Sequence, residues 1–265
     1  MIPIIKWTLW QQRWSTSRWS IGVLLFIFLS LIFYPSFKND AAELQQSFAN
    51  LPDAAVALLG GSTDFFSPIG FLNSQIYFLM LPLILTVLAI SVGSSLLARE
   101  EKDSTLEVLL ARPVARTQLL AAKALSGFSI LLTVTLIALI KILLMTPLIG
   151  LDVGLVVILQ ATLVCFLMVL SFASIAFSLT AIGYTRGAST GIAAIIALAG
   201  YIISSLAGTV SWLEYPARVL PFYYYQPESI LLGSYNWAHI LFFILLIIGC
   251  GVLSWFVFRR RDLGY

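Results

Sequence analysis

Charged residues are scarce in this sequence: only 10% of its 265 residues are Asp, Glu, Lys or Arg, whereas 60% are hydrophobic. A soluble domain carries about 25% charged residues, because polar groups must cover its surface. The composition therefore excludes an ordinary soluble domain and predicts that lipid covers most of the chain. Metal-binding residues are scarce too, with one histidine and two cysteines, Cys165 and Cys250, both in apolar stretches. We expect no metal site and no disulfide, and interpret the cysteines as small core residues.

Six stretches are long and apolar enough to cross a bilayer, which takes about 20 residues of helix. They lack the period-two polarity of membrane barrel strands. The predicted fold class is therefore an all-α membrane protein with six transmembrane helices in a single domain, 1–265. The predicted spans are 19–35, 71–97, 118–149, 154–181, 188–210 and 239–258.

The distribution of basic residues predicts the orientation, because cytoplasmic segments are enriched in Lys and Arg. With both termini cytoplasmic, the outer loops carry only Lys38 and Arg218, and Lys141 lies within a span. The other 12 of the 15 Lys and Arg residues fall on the inner side. No small-residue cleavage pattern follows the first apolar stretch, so we expect a retained span and not a removed signal peptide.

Residues 1–18 are polar and aromatic, with Trp7, Trp10 and Trp14 on one helical face. This pattern predicts an amphipathic helix in the inner headgroup layer. The predicted outer loops are 36–70 and 211–238. The second is rich in aromatic residues, which is typical of chain at headgroup depth, and its run Tyr223, Tyr224 and Tyr225 is a possible contact for cargo or lipid.

The inner loop 98–117, between spans two and three, carries the most informative pattern. Ser104 and Glu107 have the spacing of a capping box, and Pro113 disfavours helical backbone at the residue before it. A short separate helix is predicted, with Leu106 and Leu109 on one face. That face could rest on lipid, on its own protein or in a groove of another protein.

The run from 98 to 123, AREEKDSTLEVLLARPVARTQLLAAK, resembles the loop of type-two ATP-binding-cassette (ABC) exporter permeases. The shared features are a double acid, Thr-Leu-Glu followed by leucines, a Pro, an Arg and a Lys that enters the next span. Ser104 stands where such permeases commonly carry Gly. The ending RRRDL, 259–263, is also similar to the tail of that family.

The resemblance implies that the loop helix is a coupling helix, which docks on a separate ATPase subunit. The residues it implies at that contact are Glu100, Glu101, Thr105, Leu106, Glu107, Leu109 and Arg112. It also implies a complex of two permeases and two ATPases in the cell (plasma or inner) membrane, with a permease homodimer or a heterodimer. ATP and Mg are expected on the partner, because none of the 17 glycines is followed by the Lys of a phosphate-binding loop.

Two further features suggest contacts within or between subunits. Lys141 lies inside span three, and an ionisable residue there is a functional candidate; snorkelling to the headgroups or pairing with Asp152 is the favoured interpretation over a substrate contact. Gly187 and Gly191 have the spacing that lets membrane helices approach closely, either at a dimer seam or within one subunit.

Rival functions remain open at the level of sequence. An ATP-independent secondary transporter or channel usually places acidic residues or histidine within its spans, and the core spans contain no acid. An intramembrane hydrolase would need a base beside its nucleophile, and the one histidine, His239, lies at a membrane edge.

A non-transporting assembly or signalling subunit could use the same ATPase coupling. The apolar spans favour a hydrophobic or amphipathic cargo, but its identity is not encoded in any motif.

Overall fold

The computed structural model describes residues 1–35, 67–102 and 115–260, together with 52, 55, 56 and 58; the side chains of 101 and 102 are not described. The α-helices of these ranges are α1 (Ile2–Ile32), α2 (Pro68–Leu72), α3 (Met80–Lys102), α4 (Arg116–Leu148), α5 (Leu155–Ile182), α6 (Arg186–Leu206), α7 (Glu214–Ala217), α8 (Pro221–Tyr224), α9 (Pro227–Leu231) and α10 (His239–Arg260). A π-helical turn, Asn73–Tyr77, links α2 to the α3 segment, and a 3-10 turn, Ser211–Leu213, precedes α7.

The prediction of six long apolar helices is confirmed. Within the described ranges, the segments long and apolar enough to cross a membrane are Ile2–Ile32, Pro68–Glu100, Arg116–Leu148, Leu155–Ile182, Arg186–Leu206 and His239–Arg260. The predicted outer loop 36–70 lies largely outside the described residues. The predicted loop 211–238 contains the short helices α7, α8 and α9.

The first helix differs from the prediction of a separate interfacial helix, 1–18, before a span, 19–35. Both segments form one continuous helix, because no proline or other helix break separates them. The polar face of the first segment also has a protein partner: Thr8 is buried, and Gln12 Nε2 donates a hydrogen bond to Ser95 Oγ on α3 at 3.4 Å. The tryptophans on the other face stay exposed, with Trp14 at 70%.

The centre of the bundle is α5, which packs against α3, α4, α6 and α10. Its closest approach to α3 is at Gly93, where a Cβ atom would lie 2.4 Å from the carbonyl oxygen of Ala173. Hydroxyl groups join α5 to α10, where Ser254 Oγ donates to Ser178 Oγ at 2.9 Å. The tight turn from α4 into α5 uses Gly150 at a positive φ of 69°, a backbone conformation that glycine adopts without strain. The bundle places the carboxyl end of α3 beside the amino ends of α4 and α6.

Candidate functional site

A buried ion pair joins the two helices that flank the predicted coupling loop. Lys123 Nζ lies 2.5 Å from Glu100 Oε1, and the two residues are 1% and 3% exposed. Glu100 lies two residues before the end of α3, and Lys123 lies in the second turn of α4. The pair thus fixes the end of α3 relative to the start of α4, and we call these two helix ends the stems of the loop 103–114. We call this end of the bundle, where α3 ends and α4 begins, the loop end.

The same ammonium group also binds the first helix. Lys123 Nζ donates to Thr8 Oγ1 at 3.1 Å, and Thr8 Oγ1 donates in turn to the carbonyl of Ile4 at 2.9 Å. Burying a charge without partners is costly. Because the partners of this ammonium lie on two other helices, an arrangement that separated the three helices would leave the charge buried and unpaired. The cluster Thr8, Glu100 and Lys123 therefore ties α1, α3 and α4 together at the loop end.

The structure places Glu100 differently from the other predicted contact residues. Its carboxylate is buried against Lys123, so it is not exposed to a docking partner in this arrangement. The side chain of Glu101 and the whole of Thr105, Leu106, Glu107, Leu109 and Arg112 lie outside the described residues. Sequence reasoning included Lys123 only as part of a motif and missed both its burial and its contact with Thr8. The available signal was a lysine just inside a span, where a lone charge requires a partner.

On the opposite side of the bundle, α7, α8 and α9 line a cavity of about 680 Å³ together with α6. Tyr223 and Tyr225 are among its lining residues. The Tyr225 hydroxyl donates to the carbonyl of Tyr77 at 2.6 Å, and the Tyr224 hydroxyl donates to the carbonyl of Arg218 at 2.8 Å. Tyr224 also stacks on Phe242, with ring centroids 4.0 Å apart. Tyr224 and Tyr225 are therefore structural anchors in this arrangement, whereas the hydroxyl of Tyr223 has the side chain of the exposed Arg218 as its partner.

Tyr235 supports the same short helices. Its hydroxyl donates to the carbonyl of Tyr224 at 2.9 Å. Burial disfavours the phenolate and raises the pKa of Tyr235 to about 12. The hydroxyl therefore keeps its proton, and with it this hydrogen bond, throughout the physiological pH range.

The six long apolar helices, each of which could cross a membrane, agree with the comparison to known protein families. A family described as "ABC-2 family transporter protein" matches residues 9–263. The chain belongs to the ABC-2 transporter family. No curated protein and no solved structure matches it at a significant level. The protein is thus a multi-pass membrane component of an ABC-2 transporter, and its family is typically non-catalytic and works with an ATPase partner.

In this ABC-2 permease, Lys141 does not use the predicted carboxylate. Its ammonium lies over the ring of Phe28 on α1, 5.0 Å from the centroid. Within the ranges the structure describes, no carboxylate lies within ion-pair distance of Lys141, so the pairing with Asp152, one of the two favoured interpretations, is not formed; snorkelling to the headgroups stays a prediction. A cation over an aromatic face gains electrostatic stabilisation without a counter-ion, and this contact links α4 to α1.

The two glycines of the permease that were predicted to allow close helix approach do not pack against another helix of the subunit. A Cβ atom added at Gly187 or Gly191 would meet nothing within 4 Å. Further along α6, Ile195 and Leu198 are 69% and 62% exposed. Packing within the subunit therefore does not explain these glycines, and the α6 face remains free for lipid or for another chain.

Among the described residues, no group of three or more His, Cys, Asp or Glu side chains is placed to hold a metal ion.

Proposed function

We propose that this ABC-2 membrane component is the permease of an exporter in the cell membrane and that a separate ATPase drives it by docking on the loop 98–117. The observation that carries the proposal is the buried pair of Glu100 and Lys123, which joins the two stems of that loop. A docked subunit that moves the loop would move α3 and α4 together. Through Thr8, the same displacement would reach α1.

The contact itself would be of the helix-in-groove type. The leucines Leu106 and Leu109 would fill a cleft on the ATPase, and Glu101, Glu107 and Arg112 would bind at its polar edge. Thr105 would begin the docking helix. Glu100 would act from inside the bundle, by holding the loop stem in place. ATP and Mg would bind the partner, whose closure would favour one of two states of the permease.

The complex would contain two permeases and two ATPases. The exposed face of α6 supports a permease homodimer, because Gly187 and Gly191 leave room for a close approach and the apolar Ile195 continues the same surface. Small residues at such positions let membrane helices pack closely. The distribution of basic residues supports an orientation with both termini and the loop end in the cytoplasm.

Affinity purification from native membrane, with mass spectrometry of co-purified proteins, tests the proposal directly. We expect one ABC ATPase per permease. The double variant Leu106→Asp with Leu109→Asp should lose the ATPase and still insert into the membrane, because Asp would place charges in an apolar contact. The matched control is Leu232→Asp, at an exposed leucine between α9 and α10, which should keep the ATPase.

Two results would contradict this function. Recovery of intact permease without any ATPase, even after gentle cross-linking, would favour an ATP-independent transporter or channel. Retention of the ATPase by the double Asp variant would show that the partner binds elsewhere. If the ATPase binds but reconstituted complex moves no cargo, an assembly or signalling subunit would be the better description.

A further inference from the structure

A polar cavity of about 830 Å³ opens between α1, α3 and α6 at the loop end of the bundle. It is separate from the Glu100–Lys123 pair, neither of whose residues lines it. Its wall on α3 extends from Ser91 to Arg99, which corresponds to about 12 Å of helix rise. The cavity therefore extends about 12 Å along α3 from the loop end of the bundle.

Positive charge dominates the walls of this cavity. Arg18, Arg99 and Arg186 line it from α1, α3 and α6 in turn, and no carboxylate is among its described lining residues. The three arginines are far apart in sequence, so it is the packing of three helices that brings their charges together. An anion placed between Arg18 and Arg186 would be attracted to both guanidinium groups and would offset the repulsion between them.

Other donors face the same space. Ser15 and Ser95 line it, and α6 begins there, with Thr185 as its N-cap. The amino end of a helix carries partial positive charge and favours anions. Guanidinium groups bind phosphate oxygens with two parallel hydrogen bonds, which makes Arg especially suited to phosphate. The arrangement thus combines three guanidinium groups, the Ser15 hydroxyl and a helix amino end around one opening.

We propose that this cavity binds the phosphate group of an anionic molecule, supplied either by the headgroup of a membrane phospholipid or by a soluble phosphate compound. Phosphate binding at this site does not require the ATPase partner, so its test is independent of the test of the exporter function. Arg18 and Arg186 are the principal ligands, and Ser15 supplies a neutral donor.

The test compares lipid retention by variants of the full chain in nanodiscs of phosphatidylcholine doped with phosphatidylglycerol. Native mass spectrometry then counts the phosphatidylglycerol that stays bound. The double variant Arg18→Gln with Arg186→Gln should retain about tenfold less, the effect of about 1.4 kcal/mol of lost binding free energy. The matched control, Arg13→Gln with Arg259→Gln, removes the same number of charges from guanidinium groups that lie over Trp10 and Trp255 outside the cavity. It should retain as much as the unaltered chain.

A second arm distinguishes the two sources of phosphate. Inorganic phosphate is titrated against the protein in phosphatidylcholine nanodiscs, and binding is followed by the protection of Arg18 and Arg186 from an arginine-specific reagent. Retention of phosphatidylglycerol without protection by inorganic phosphate assigns the site to a lipid headgroup, and protection without selective lipid retention assigns it to a soluble compound. Equal lipid retention by both double variants, with no protection, would overturn the proposal. Because all four arginines are exposed, their replacement by Gln should leave the size-exclusion profile unchanged, so a loss of binding is not a loss of folding.

Discussion

The ammonium of Lys123 and the carboxylate of Glu100 lie 2.5 Å apart, and both are almost completely shielded from solvent. Residues 103–114 separate the helices that carry them, so the contact closes that loop at its base. Removing one partner of such a buried pair usually costs far more than removing both.

Glu100→Gln should therefore destabilise the protein by about 3–5 kcal/mol, because it leaves the Lys123 ammonium buried without a carboxylate. The double variant Glu100→Gln with Lys123→Met should recover most of that loss. Apparent Tm in detergent, at one fixed heating rate, measures both effects. The exposed pair of Arg218 and Glu214, 2.6 Å apart, is the control, and Arg218→Gln should leave Tm nearly unchanged. A double variant as unstable as the single one would contradict this account of the pair.

Gly93→Ala should lower stability by about 1–3 kcal/mol through overpacking. The added Cβ would lie 2.4 Å from the backbone oxygen of Ala173, and backbone at the centre of two long helices cannot move aside easily. The matched change is Gly191→Ala, whose Cβ meets nothing within 4 Å and which should be neutral or stabilising for the single subunit, since Ala favours helix over Gly. Thermal unfolding of both variants checks the contrast, and an equal loss for both would contradict the close approach of α3 and α5.

Tyr225→Phe should cost about 0.5–1.5 kcal/mol, the net value of one hydrogen bond. The hydroxyl it removes donates to the carbonyl of Tyr77 at 2.6 Å, and Tyr225 is 5% exposed. Tyr223→Phe should lower Tm less, because the partner of its hydroxyl, Arg218, is exposed to solvent, and it should alter transport only if Tyr223 contacts cargo. Paired measurements of Tm and transport separate the two roles. A Tyr223→Phe variant less stable than Tyr225→Phe would reverse the assignment.

Lys141→Met and Phe28→Leu should show a coupling of about 0.5–2 kcal/mol in a double-mutant cycle, because the ammonium lies over the ring of Phe28. Neither change should alter the choice of cargo. The cycle is measured by apparent Tm, with transport by the reconstituted complex as the second readout. Additive effects on Tm would show that the ring and the ammonium do not interact.

Hydropathy alone predicted the six long helices correctly, because the cost of exposing backbone to lipid requires apolar helices of about this length. The continuity of α1 through Arg18 was harder to predict. The change from polar to apolar composition after Arg18 suggested two helices, whereas helix continuity depends on breaks, and Thr8 and Gln12 find partners on neighbouring helices.

The contacts of single side chains depended on packing that local patterns do not contain. The motif around Glu100 pointed to an exposed docking role, but its carboxylate is buried because α4 places Lys123 beside it. Lys141 was expected to snorkel to the headgroups or to pair with Asp152, whereas its ammonium lies over the ring of Phe28 on α1. Tyr224 and Tyr225 appeared accessible in an aromatic loop, and their hydroxyls instead bind backbone carbonyls. In each case the deciding neighbour lies on another helix or in another segment of the same loop.

The unbroken α1 helix also determines how movement can spread. Its 31 residues correspond to about 46 Å of rise, against about 30 Å for the hydrocarbon layer. A helix longer than the layer and without a break would tilt as one rod when displaced near Thr8. Its two ends would then move in opposite directions, which would make α1 a lever between the two faces of the membrane.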